Sequence, residues 1–122
     1  MGLRGFTGGN MTLRQKQSMF IRFVGKLIEY ADENGYELTG GELWRPPETA
    51  ELYEQQGKGI ANSLHKSRLA IDFNVFKDNI WLRKGEEFTD LGKYWESLHP
   101  MCAWGGRFND GNHFSLMHGG RK

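Results

Sequence analysis

Between Thr12 and Asn34-Gly35 the apolar residues Met19, Phe20, Phe23, Val24, Leu27, Ile28 and Ala31 recur at three- and four-residue steps. That spacing lines side chains up on one face of an α-helix. It predicts a helix running to about Glu33, with one stripe to be buried. Thr12 offers an N-cap oxygen ahead of it, and Asn34-Gly35 closes it as a helix C-terminal signal does. Whatever else the chain forms has to cover that stripe.

The remaining elements are shorter. Residues 1–11, glycine-rich from Gly2 to Asn10 and without periodicity, are expected to be loosely ordered. Tyr36 to Thr39 is a strand candidate, closed by Gly40-Gly41. Glu42 to Asn62 carries Pro46-Pro47, Gly57 and Gly59 and reads as a loop, with a helical turn or two around Thr49–Gln55. Leu69 to Phe76, rich in β-branched and aromatic residues, is a strand. Asp78-Asn79 is a turn signal, and Ile80-Trp81-Leu82 would return as the hairpin partner. Thr89 is placed to cap a second helix from Asp90 to about His99, stopped by Pro100. Gly105-Gly106 opens a tight turn, and His113–Leu116 is a last strand. Helices and strands without a βαβ alternation give an α+β fold: a small antiparallel sheet with helices packed on it, in a single domain of residues 1–122. The aromatic residues Phe20, Phe23, Trp81 and Trp95 are read as core.

Composition narrows the function classes. With 38% hydrophobic and 25% charged residues the chain is globular and can bury a small core. Sixteen basic residues against fifteen acidic give a net charge of +1, without the basic footprint of a nucleic-acid-binding domain. The single cysteine, Cys102, permits no internal disulfide and reads as a small buried residue rather than a nucleophile. The N-terminal MGLRGFTGGNMTLRQKQ lacks the apolar core of a signal peptide, and no stretch approaches a transmembrane helix in length. Synthesis in the cytoplasm and no stable membrane association are the resulting expectations.

Two clusters could carry chemistry. In Ser63-Leu64-His65-Lys66-Ser67-Arg68-Leu69-Ala70-Ile71-Asp72, His65 precedes Asp72 by seven positions. An unbroken strand would put them on opposite faces. They can meet only if His65 lies in a loop that bends back before the strand. In Trp104-Gly105-Gly106-Arg107-Phe108-Asn109-Asp110-Gly111-Asn112-His113, a tightly turned loop delivers His113 onto a strand with Asp110 three residues before it. Two imidazoles and one carboxylate leave a fourth zinc position open for water, the arrangement of a catalytic site. A second carboxylate outside the coordination shell would handle the proton; Asp72 and Asp110 could divide those roles. The plainer readings are a hydrogen-bonded surface His, an ordinary Asp-Gly-Asn turn and an exposed loop arginine at Arg45. His99 reads as a helix C-terminal residue favoured by the dipole, and His118 as solvated.

Taken together, Ser63-x-His65-x6-Asp72 and Trp104-Gly105-Gly106-Arg107-Phe108-x-Asp110-x-x-His113-Phe114 resemble the zinc D-alanyl-D-alanine carboxypeptidase and L-alanyl-D-glutamate endopeptidase family. They are most similar to its compact members found as endolysins of tailed phages and prophages. The resemblance spans roughly residues 35 to 117. It implies that His65, Asp72 and His113 hold zinc and that Asp110 is the catalytic acid/base. It implies too that Arg45 meets a substrate carboxylate or polarised carbonyl, with Ser63 contacting substrate or supporting the site. Two positions depart from the family pattern: Arg68 stands where glycine is frequent, and Asp110 where many members carry Glu.

The implied activity is hydrolysis of the stem peptide of bacterial peptidoglycan at the L-alanyl-D-glutamate bond by a monomeric endolysin. Made without a signal peptide, it would reach the wall through a membrane pore. The rival on the same metal site is a D-alanyl-D-alanine carboxypeptidase of wall remodelling. A rival of another class is a non-catalytic wall-binding or virion structural module.

Overall fold

The computed structural model describes residues 11–41, 48, 52, 64–108 and 110–119, with backbone alone at 107 and 108. The glycine-rich segment 1–10, the loop expected over Glu42–Asn62, Arg45 and Ser63 lie outside the described residues, apart from positions 48 and 52. Helix α1 spans Leu13–Glu33 and starts on a capping box: Thr12 Oγ1 accepts from the Gln15 N–H at 3.1 Å, and Gln15 Oε1 accepts from the Thr12 N–H at 2.9 Å. Six of the seven stripe residues are buried. Ile28, at the edge of the stripe, is exposed, because the surface that covers α1 is narrower than the apolar arc.

Among the described residues five strands form one antiparallel sheet: β1 (Tyr36–Gly40), β2 (Ala70–Lys77), β3 (Ile80–Leu82), β4 (Cys102–Trp104) and β5 (His113–Leu116), in the order β1-β2-β5-β4 with β3 also on β2. Strand β1 takes Phe73–Lys77 on one edge of β2. The other edge is shared: β5 pairs with Ala70–Asp72, and β3 with Val75–Lys77. The β2–β3 connection has Asp78 and Asn79 at φ 53° and 64°, the two left-handed positions of a tight hairpin turn, as the Asp-Asn pair predicts.

Helix α2 spans Thr89–Leu98. Thr89 is not its cap, contrary to the sequence expectation; Phe88 is, because a 3₁₀ turn over Gly85–Phe88 feeds straight into the helix. The core sits where α1, α2 and β5 meet around Trp95. Its ring lies edge-on to Phe20, Phe23 and Phe114 at 5.7, 6.3 and 5.9 Å, and its indole N–H donates to the Ser115 carbonyl at 3.0 Å. Such contacts make the residue costly to remove, about 3–5 kcal/mol for truncation to alanine.

Other corrections concern single side chains. Trp81 is 50% exposed rather than core. Side chains alternate faces along β3, and Leu82 takes the inward one. His99 ends α2, but burial pushes its imidazole below the usual range, and Nδ1 accepts the Met101 N–H at 3.0 Å. A neutral ring gains nothing from the helix dipole. His118 is half-buried and bonded to Lys16 Nζ at 3.2 Å rather than solvated. Strand β4, three apolar residues after Pro100, was not anticipated.

Candidate metal centre

His65 stands on a 3₁₀ turn, Leu64–Ser67, immediately before β2. The turn closes through Arg68 N–H to the His65 carbonyl at 3.2 Å and Leu69 N–H to the Leu64 carbonyl at 3.1 Å. Arg68 adopts φ 57° to make it. That left-handed residue is the bend the seven-residue spacing requires, and it is a conformation glycine adopts more cheaply. His65 is thereby turned inward, with 2% of its surface exposed.

Asp72 and His113 meet by strand register. They are direct cross-strand partners on β2 and β5. The Phe73 N–H donates to the Asn112 carbonyl at 3.1 Å, which makes the neighbouring pair the hydrogen-bonded one. Asp72 and His113 therefore occupy a non-hydrogen-bonded pair, where side chains stand closest. Asp72 Oδ1 lies 3.1 Å from His113 Nδ1 and 3.4 Å from His65 Nε2. The two imidazole rings sit edge to face, 5.2 Å apart.

These separations suit one small cation. A tetrahedral zinc site with arms of about 2.0–2.1 Å has donor-to-donor edges of about 3.3–3.4 Å. One edge of the observed triangle, 3.4 Å, matches that length and another is slightly shorter at 3.1 Å, and all three donor atoms lie within 4.8 Å of one another. Burial alone would raise the Asp72 carboxyl, but hydrogen bonds from His113 and His65, with their charge when protonated, bring it down to about 2. The donor set is thus two nitrogens and one ionised oxygen, borderline-soft and open on one side, since Asp72 keeps 24% of its side chain exposed.

Asp110 flanks this triangle without joining it. Its Oδ2 is 3.8 Å from His113 Nδ1 and its side chain is 56% exposed, so it faces solvent at the mouth of the site. The loop holding it is closed by the Asp110 N–H to the Gly105 carbonyl at 2.8 Å and the His113 N–H to the Asp110 carbonyl at 3.1 Å. A Cβ on Gly105 would fall 2.3 Å from the Asp110 carbonyl oxygen and 2.8 Å from His113 Cβ, so only glycine allows this closure. Trp104 pins the far side, its indole N–H donating to the Gly111 carbonyl at 2.7 Å.

The structure therefore gathers His65, Asp72, His113 and Asp110, all named from the sequence, while Arg45 and Ser63 lie outside the described residues. Sequence reasoning missed a cleft of about 220 Å³ whose walls include Asp110, Asn74, Trp81, Arg83 and Asn112. The signal available was Trp81 itself: a large aromatic on a three-residue hairpin strand, whose alternation with Leu82 already points it away from the core.

The family model described as D-alanyl-D-alanine carboxypeptidase matches residues 56–116, half of the 122-residue chain. No curated protein matches the chain. Among solved structures the chain is similar to the crystal structure of the Serratia marcescens L-Ala D-Glu endopeptidase ChiX. The TM-score is 0.68 at 17% sequence identity, covering 86% of this chain and 83% of that one. At that identity the likeness is one of fold.

Proposed function

This chain belongs to the D-alanyl-D-alanine carboxypeptidase family of M15 peptidases, and from that premise we propose that it is a zinc-dependent endopeptidase of the peptidoglycan stem, cutting the L-alanyl-D-glutamate bond. The observation that carries the reading is the triangle of His65 Nε2, Asp72 Oδ1 and His113 Nδ1, with its 3.1 and 3.4 Å edges. These three residues would hold the metal. Zinc bound there would polarise a carbonyl oxygen and lower the pKa of a water to about 7.

The chain's own residues do the rest. His65, buried, presents Nε2 from a fixed turn and so limits where the cation can sit. Asp110 carries the proton: Oδ2 takes it as water adds to the carbonyl carbon, and returns it to the amine nitrogen as the C–N bond breaks. Its exposure at the mouth lets it reach both partners. Asp72 and His113 lie opposite each other on paired strands, which keeps those two donors in register through the reaction. Arg45 and Ser63 enter on the motif resemblance, as contacts to a substrate carboxylate or carbonyl.

On the motif resemblance we read it as a phage or prophage lysis enzyme that acts on the wall as a monomer. The family's description favours a second reading, D-alanyl-D-alanine carboxypeptidase. One digest separates them. Purified peptidoglycan treated with the zinc-loaded protein is expected to yield stems newly beginning at D-Glu; free D-alanine as the product would move the assignment to the carboxypeptidase. Binding to the wall without any product would leave only a non-catalytic module. Asp110→Ala is expected to retain zinc while losing about 10²- to 10⁴-fold in turnover; full activity in that variant would refute the role given to Asp110.

A further inference from the structure

Strand β2 passes from β5 to β3 along one edge: Asp72 is the last residue paired with β5, and Val75 the first paired with β3. Asn74 falls in the gap between them, and the 220 Å³ cleft opens there. It adjoins the metal triangle through Asp110, which is part of its wall. Arg83 is the cationic side chain lining it, and Asp110 the anionic one. A substrate whose scissile amide lies at Asp110 can place a neighbouring residue in this cleft.

Arg83 is held for such a task. Its guanidinium carbon lies 5.1 Å from the centre of the Trp81 ring, a cation–π contact on a half-exposed indole. The contact restricts the guanidinium before any ligand arrives, so less freedom is lost on binding. Glu87 accepts the backbone N–H groups of Arg83 and Lys84 at 3.1 and 3.0 Å, fixing the segment from which the side chain departs. Across the cleft, the amides of Asn74 and Asn112 add donors for a carbonyl or carboxylate oxygen. Trp81, half-exposed and opposite Phe76 across the hairpin, forms one wall of the same cleft.

The stem peptide supplies the matching anion. Its D-glutamate is linked onward through the γ-carboxyl, which leaves an ionised α-carboxylate on the carbon bearing the scissile nitrogen. Asp110 would repel that group; a cation in the same cleft offsets the repulsion. We propose that Arg83, held over Trp81, recognises this α-carboxylate and sets the specificity of cleavage. The assignment rests on the endopeptidase reading above.

Two synthetic stem peptides test it, one with the free α-carboxylate and one with that group amidated. The zinc-loaded protein is expected to favour the acid by about tenfold in kcat/KM, mostly through KM, as one charge-assisted pair in a solvated cleft allows. R83A is expected to bring the ratio close to one by raising KM for the acid, and R83K to restore part of it, with thermal melts confirming that both fold. An unchanged ratio in R83A, or equal use of both peptides by the parent protein, overturns the assignment. A parent protein that cleaves neither peptide sinks the endopeptidase reading itself and this assignment with it, a result visible without any variant.

Discussion

Replacing Gly105 by alanine asks whether the donor triangle and its flanking carboxylate depend on one close backbone approach. The added Cβ would stand 2.3 Å from the Asp110 carbonyl oxygen, where ordinary contact begins at 3.4 Å, so the loop has to move by about 1 Å. The neighbour is backbone, which cannot swing aside as a side-chain end can. The same carbon would meet His113 Cβ at 2.8 Å, so a metal donor and the proton carrier are pushed together. Overpacking of this kind costs about 1–3 kcal/mol of stability. A displacement of about 1 Å at a reacting group costs about 10²-fold in rate. The variant is therefore expected to fold, with a lowered melting temperature, weakened zinc affinity by chelator competition, and turnover of a defined stem peptide down about 10²-fold. Gly25→Ala is the control. It adds a Cβ with nothing within 4 Å in the middle of α1, and is expected to stabilise by about 0.5–1 kcal/mol with activity unchanged. If Gly105→Ala matched its parent in zinc affinity and turnover, the steric account of the loop would be wrong.

Zinc is expected to raise the melting temperature of the parent protein, since a ligand at 100 times its Kd adds about 2.7 kcal/mol; in Asp72→Asn, which lacks the ionised donor, that shift should vanish in the same scan. Burial pushes the Cys102 thiol up to about 12, aided by the charge of Glu96. Alkylation at pH 8 should consequently stay far slower than for a free thiol until denaturant is added; rapid labelling of native protein would contradict the burial. The hydrogen bond to Asp90, 2.6 Å long, together with burial raises the Tyr30 phenol to about 12. Its folded value lies above the unfolded one of 10.0, so this contribution to stability is complete below pH 10 and is lost as pH rises towards 12. An ultraviolet titration in which Asp90→Asn leaves that late-ionising tyrosine unmoved would count against the bond.

How much of this was legible in the sequence differs by element. Helix α1 declared itself because period, cap and stop signal agree, and the hairpin turn because Asp78-Asn79 tolerates two left-handed residues in a row. The apolar period shows which face is buried but not how wide the cover is, so Ile28 was assigned wrongly to the interior. Trp81 was misplaced for a different reason: aromatic character was weighed above the two-residue alternation that sends it outward. Strand β4 is three residues long and gains its identity from pairing with β5, a partner distant in the chain. At the site, the resemblance named the donors, but spacing alone could not bring them together. His65 reaches Asp72 only through the bend at Arg68, and Asp72 meets His113 only through a strand register set by the whole sheet.

That register has a further consequence. Asp72 and His113 face each other on strands that touch through three residue pairs, Ala70–Asp72 against His113–Ser115. Opening the Ala70–Asp72 end of β2 away from β5 would scatter the donor set even while β5 kept Phe114 and Ser115 against Trp95. The chain has no disulfide to hold the two strands shut. Inactivation by local opening is therefore a route distinct from global melting, and a cation spanning 3₁₀ turn, β2 and β5 would act as the clasp that closes it.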